Sequence, residues 1–226
     1  MTLETTSIDT LVVGAGQAGV AMSEHLTRLG VPHLVLERAR IAERWRSGRW
    51  DSLVANGPAW HDRFPNLEFA DVHPDAFAPK EQVADYFVAY AKKFDAPIRT
   101  GVEVKHVVRN AGRPGFTVET SEGTIEANRV VVATGPFQRP VIPPIAPQDT
   151  RLTQIHSADY RNPGNCLKEA CWWWARDRQA CRSRTSCSAQ AGAFICRSVR
   201  TTVRRALIAV AIFAGGSACS ANGTRR

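Results

Sequence analysis

Hydrophobic and polar positions change rhythm several times along the N-terminal part of the chain. Thr10-Leu-Val-Val-Gly14 is a short apolar run ending in glycine, and apolar residues then return at helical spacing through Val20, Met22, Leu26 and Leu29 before Gly30. This pattern predicts a strand, a tight turn and a helix. His33-Leu-Val-Leu-Glu37 is a second apolar run that ends on a carboxylate and completes a βαβ unit. Between Ala42 and Pro65 no period persists and Trp, Arg, Asn, Gly and Pro are frequent, which predicts a short helix followed by a long loop able to carry ligand contacts. Lys80 to Phe94 places Val83, Tyr86, Phe87, Tyr90 and Ala91 on one helical face. Val102 to Val108, Phe116 to Thr120 and Thr124 to Ala133 read as three strands, the last two flanking a Ser121-Glu-Gly123 turn, and together they predict an antiparallel meander.

Composition changes the picture mainly by dividing the chain. The formal charge of +8 and pI near 9.6 invite a nucleic-acid reading. However, the excess sits in Cys166 to Arg226, where eleven Lys and Arg face two acids, while Met1 to Asn165 is nearly neutral. All six cysteines lie in that C-terminal segment and all six histidines before it. No partner of specific nucleic-acid type is expected, and the arginines of the segment attract polyanions only nonspecifically. Met1 to Asp9 is polar rather than a signal peptide, and the apolar run Ala206 to Ala214 is well short of the roughly 20 residues of a membrane-spanning helix. A cytoplasmic protein without a membrane partner is expected.

The chemistry is concentrated in the turn after the first strand. In Gly14-x-Gly16-x-x-Gly19 the first glycine permits the tight turn, the second lets a pyrophosphate approach, and the third packs helix on strand. Gln17 and Ala18 open the helix, whose N-terminus faces the phosphates. Glu37 ends the next strand, where a carboxylate accepts hydrogen bonds from a ribose hydroxyl and disfavours a 2′-phosphate. FAD or NAD fits this turn. The fold class expected is therefore α/β, a Rossmann-like dinucleotide-binding domain with a parallel sheet plus the antiparallel β-meander.

Arg129-Val-Val-Val-Ala133-Thr-Gly135 is a hydrophobic strand ending in Ala133, Thr134 and Gly135, with a proline-rich exit through Pro136, Pro140, Pro143 and Pro144. The order βαβ fingerprint, meander, Ala-Thr-Gly resembles the two-dinucleotide-binding flavoproteins, in which the Ala-Thr-Gly turn lies against FAD and leads to a nicotinamide domain. Within them the chain most resembles flavin-containing monooxygenases and YUCCA-like enzymes, through Trp45-Arg46, Arg49-Trp50-Asp51-Ser52-Leu53, Asn56-Gly57-Pro58 and Gln154-Ile-His156-Ser-x-Asp159-Tyr160. The resemblance implies that Trp45, Arg46, Leu53, Arg38 and Val104 contact FAD. It also implies that Asn56 is the asparagine beside the flavin ring that helps hold the oxygenated flavin. His156 and Tyr160 resemble the tail of a fingerprint shared with Baeyer–Villiger monooxygenases. Thr150 and Leu152 stand where that fingerprint has phenylalanine and glycine, which argues against such an enzyme and leaves His156 as a linker hinge or a structural histidine.

The domain reading that follows is an N-terminal FAD-binding part over residues 1–165 and a segment, 166–226, that replaces the expected NADPH-binding domain. That segment has no apolar period able to build an element beyond the run at Ala206, so it is expected to be disordered or non-native. Codon degeneracy supplies a cause. Tryptophan has a single codon, so Cys171-Trp-Trp-Trp-Ala175 read one base earlier must encode Leu-Val-Val-Gly, the sequence of Leu11 to Gly14. The following codons permit Ala-Gly-x-x-Gly, completing a second glycine fingerprint, so a one-base deletion near Asn165 is expected. No Cys-x-x-Cys spacing supports a zinc or dithiol site instead.

The resemblance implies an FAD-dependent, NADPH-using monooxygenase acting on a small-molecule substrate such as an amine or sulfide, through a C4a-hydroperoxyflavin, with turnover impaired in this chain. The alternatives are a noncatalytic FAD-binding remnant and another NAD(P)- or FAD-dependent oxidoreductase. Among the latter, a disulfide reductase needs a cysteine pair that Met1 to Asn165 lacks, and a simple NAD-dependent dehydrogenase leaves the Trp-Arg and Asn-Gly-Pro segments without a role.

Overall fold

A computed structural model describes residues 6–136, 138–141, 152–156, 158–162, 171–175, 194–197 and 208–213. They form two compact units, one of residues 1–48 and 54–138, the other of residues 49–53 and 139–226.

The first unit is built on a six-stranded sheet. Strand β1 (Thr6–Val13) leads through helix α1 (Gln17–Arg28) to β2 (His33–Glu37), and the chain then makes the single-turn helices α2 (Glu43–Arg46) and α3 (Ala59–Asp62) before the longer α4 (Lys80–Lys93). Strands β3 (Ile98–Thr100), β4 (Val104–Arg109), β5 (Phe116–Thr120) and β6 (Gly123–Val132) follow, giving the order β3-β2-β1-β6-β5-β4. The first four strands in that order are parallel, and β6, β5 and β4 form the antiparallel meander. Strand β6 belongs to both parts, pairing with β5 over Gly123 to Ala127 and with β1 from Ile125 to Val132. The α/β class with a parallel sheet and meander is thus the observed one.

Two elements exceed the expectation. The first strand starts at Thr6 rather than Thr10, because β6 is long enough to give Thr6, Ser7 and Ile8 the partners Ile125, Glu126 and Ala127. Strand β3 is only three residues, too short to show a period, and exists because Val35 to Glu37 offer it an edge.

The central strand is buried on both faces, as a parallel strand covered on both sides requires. Leu11 packs with Leu36, Val102, Val118 and Ile125, whereas Val12 faces the opposite side with Val35 and Ala15, against Met22 and Leu26 of α1. Each such aliphatic side chain contributes about 1.5–3 kcal/mol by leaving water. Helix α4 buries the predicted face, Val83, Tyr86, Phe87, Tyr90 and Ala91.

In the second unit β7 (Leu152–Ile155), β8 (Cys171–Ala175), β9 (Phe194–Arg197) and β10 (Ile208–Phe213) form a sheet in the order β7-β10-β8-β9. The last of these falls in the predicted apolar run at Ala206. The other two strands beyond residue 165 had no period to announce them, though β8 carries Trp172, Trp173 and Trp174, a residue type favoured in strands. The remainder of 166–226, like the proline exit at Pro143 and Pro144 and position Thr150, lies outside the described residues.

Candidate dinucleotide site

The strands β1, β2 and β6 end side by side, and the predicted motif residues meet there. Gly14 leaves β1 with φ +103°, its N–H donating to the Leu36 carbonyl at 2.7 Å. A Cβ at this position would lie 2.8 Å from the Ala133 carbonyl oxygen. At Gly19 a Cβ would stand 1.8 Å from the Gly14 oxygen, so no side chain fits between helix and turn. Gly16 differs from both: its φ is −83° and a Cβ there would meet nothing within 4 Å. The first and third glycines close the turn, and the second leaves open space in front of it.

That space faces the start of α1. Gly16 is the helix N-cap, no side chain caps it, and the first turn contains no acidic residue. Gln17 and Ala18 are exposed. The positive end of a 12-residue helix is therefore available to an anion.

Glu37 reaches back over the same turn. Its Oε2 accepts from the Ala15 N–H at 2.8 Å and its Oε1 from the Ala39 N–H at 3.0 Å, which fixes a half-buried carboxylate beside the glycines. From β6, the Ala133 N–H donates to the Val13 carbonyl at 2.9 Å, setting the Ala-Thr-Gly turn against Gly14. Thr134 and Gly135 are exposed, and Gly135 has φ +76°. Arg38 joins this group through a residue that no sequence motif marks: the Gln138 amide donates to the Thr134 carbonyl and accepts from the Arg38 guanidinium at 3.4 Å.

The other residues expected to contact the cofactor have these surroundings. The Trp45 ring meets Phe87 edge-on, with centroids 6.3 Å apart, and packs against the α4 core. Arg46 ties α2 to α4, its guanidinium bonding Glu81 at 3.0 Å and Asp85 at 2.6 Å, while its carbonyl accepts from Lys80 Nζ at 2.9 Å. The Asp85 hydrogen bond, more than any other contact, raises the Arg46 pKa above its ordinary value. Val104 opens β4 and packs on the Leu11 cluster. Asn56 is exposed in the first unit, whereas Leu53 is buried and belongs to the second. His156 closes a turn in which its carbonyl accepts from the Asp159 N–H at 2.8 Å and its Nδ1 accepts from the Ala158 N–H at 3.0 Å. An accepting Nδ1 requires the unprotonated ring, and burial lowers the His156 pKa in the same sense, against the opposing pull of Asp159.

A glycine cradle against a helix start, a carboxylate at the end of β2 and a glycine turn at the end of β6 define a dinucleotide-binding α/β protein. The chain belongs to the pyridine nucleotide-disulphide oxidoreductase family, which it matches over residues 11–170. The matched stretch contains one cysteine, Cys166, so membership brings no cysteine pair with it. The chain is 38% identical over 158 residues to an uncharacterized CzcO-like oxidoreductase of Geobacillus kaustophilus, covering 69% of this chain and 44% of that protein. It is 30% identical over 155 residues to an indole-3-pyruvate monooxygenase, YUCCA1, of Oryza sativa, covering 67% and 38%. A variant of a flavin monooxygenase from Stenotrophomonas maltophilia shares the fold with a TM-score of 0.76 at 22% identity, over 86% of this chain and 59% of that one. The chain thus spans less than half the length of the curated relatives it matches.

Proposed function

We propose that residues 1–165 are the FAD-binding part of an NADPH-using flavin monooxygenase that transfers one atom of dioxygen to a small soft nucleophile, such as an amine or a sulfide. The observation that carries this reading is the convergence of the Gly14–Gly19 turn, the Glu37 carboxylate and the Ala133–Gly135 turn at one sheet edge. The monooxygenases among the relatives support the choice within the oxidoreductase family.

The residues divide the work of binding. The space before Gly16 admits a diphosphate, and the first-turn N–H groups of α1 stabilise its charge without competition from an acidic side chain. Glu37, held by Ala15 and Ala39, accepts from an adenosine ribose hydroxyl. Thr134 and Gly135 present backbone to the cofactor, and the Asn56 amide serves the flavin end. When bound, the flavin would supply the redox chemistry, hydride acceptance and dioxygen activation. The chain's own part is to hold the ring, donate hydrogen bonds and exclude water.

The codons of Cys171 to Ala175 support a further element of this reading, that 166–226 is an out-of-frame version of the NADPH-binding domain. This chain is then a holder of FAD with little NADPH-driven oxygen consumption, and restoring one base near the Asn165 codon returns activity. Sequencing the gene across Tyr160 to Arg176 checks the reading frame directly.

Titrating the purified chain with FAD while following flavin fluorescence tests the core of the proposal. Saturable binding is expected, and Gly16→Val, which fills the open space before the turn, should weaken it at least tenfold. No affinity in the well-folded chain would sink the proposal.

A further inference from the structure

The segment that carries Asn56 contains a carboxylate that no motif assigns. Asp62 Oδ2 accepts from the Gly57 N–H at 2.8 Å, and Asp62 Oδ1 lies 2.8 Å from His61 Nδ1. Both flanks of the segment are pinned to the stretch before α4: Ala55 N–H donates to the Ala78 carbonyl at 2.8 Å, and Ala59 N–H to the Ala76 carbonyl at 2.9 Å. Pro58 has no N–H, so Gly57 offers the last peptide donor before α3, and Asp62 takes it.

Gly57 itself explains the pairing. Its φ is not among the positive values, so the glycine is not there to make a left-handed turn. Instead, a Cβ at position 57 would lie 2.5 Å from Asp62 Oδ1 and 2.9 Å from His61 Nδ1. A side chain at this position would press on the ends of the Asp62 and His61 side chains, which would have to shift. The glycine after Asn56 and the aspartate five residues later are thus in direct contact.

We propose that Asp62 is a positioning residue for Asn56, its carboxylate fixing the Asn56–Gly57 peptide and with it the direction of the Asn56 amide. The proposal rests on the reading of Asn56 as the amide at the flavin end of the site. His61, oriented by a T-shaped contact with Trp60 at 5.7 Å, steadies the carboxylate from its other oxygen. Removing Asp62 takes away the acceptor of the Gly57 N–H, so the loss should appear only where the Asn56 side chain is present to be misdirected.

The test is a double-mutant cycle on the full chain, with FAD as the probe. Affinity is read by flavin fluorescence, the ring's surroundings by the visible absorption of bound flavin, and folding by Tm on the same samples. Asn56→Ala and Asp62→Ala should each weaken FAD about five- to tenfold, as expected for one misplaced hydrogen bond, and shift the flavin absorption in the same direction. In the Asn56→Ala background, Asp62→Ala should add less than about twofold. Asp62→Asn, which keeps an oxygen for Gly57, should stay near wild type in both readouts. Gly57→Ala approaches the same contact from the other side and should reproduce the spectral shift, so a poorly folding Asp62→Ala leaves the question decidable. Additive losses, or an effect of Asn56→Ala with none from Asp62→Ala, overturn the positioning role. Wild-type FAD binding that Asn56→Ala leaves unchanged in affinity and spectrum removes instead the reading of Asn56, and the proposal falls with it.

Discussion

Three glycines of one motif do three different things. Gly19 cannot carry a side chain because the Gly14 oxygen occupies its place, whereas Gly16 faces open space. Gly19→Ala should therefore force helix and turn apart, costing about 2–4 kcal/mol, while Gly16→Ala, at a helix N-cap with ordinary φ, should cost about 1 kcal/mol or less. Urea unfolding of the two variants checks the difference, and equal losses would show that the turn relaxes more readily than its backbone contacts suggest. Glu37 was also legible as a residue, since its place at the end of β2 is a matter of chain position. Asp62 and Gln138 were not, because a side chain that reaches a backbone group several residues away leaves no periodic trace. For Arg46 the resemblance supplied the cofactor expectation, and the structure adds that its guanidinium pairs with Glu81 and Asp85 of α4.

Among the elements, α4 organises the loop that follows α3. The Tyr86 hydroxyl accepts from the Phe64 N–H at 2.6 Å and donates to the Leu67 carbonyl at 2.9 Å, and its ring stacks on Phe69 at 4.1 Å. Burial of this hydroxyl raises its pKa, so it remains a protonated donor across the physiological range. Tyr86→Phe keeps the stack but leaves the Phe64 N–H without this partner, and should cost about 1–3 kcal/mol, with faster amide exchange at Phe64. An unchanged Tm would mean that aromatic packing alone holds the loop. The helical face of α4 could be read from spacing because a helix in contact with a core repeats its apolar residues. The loop it anchors could not, since it is held by side chains of α4, the Tyr86 hydroxyl and the Lys93 ammonium among them, that lie far along the chain.

At the scale of the whole molecule, the two units differ in how much of them was readable. The first unit's βαβ start and meander follow from periodicity, and the comparisons place residues 11–170 in one oxidoreductase family. No helix among the described residues is long and apolar enough to cross a membrane. The second unit offers a pH-dependent prediction through His156. Its folded-state pKa is lowered, so the unfolded chain binds the proton more readily. The stability from the neutral ring is complete above the ordinary histidine pKa of about 6.5 and is lost as pH falls through that value toward the lower folded one. Thermal unfolding between pH 8 and 5 should show this loss, and His156→Gln should flatten it. An identical pH profile in the variant would locate the titration elsewhere.

The amino-acid sequence by itself determined the α/β alternation, the glycine turn, the carboxylate that ends β2 and the buried face of α4. These are local requirements: a φ value, a close backbone approach and a repeat matched to a strand or a helix. Only the tertiary structure decided that β1 begins at Thr6, that β3 exists, that Glu37 is held by Ala15, and that the Gly57 N–H is held by Asp62. Each of these depends on a partner brought close by folding, and the chain carries no local mark of a contact whose other half lies elsewhere along it.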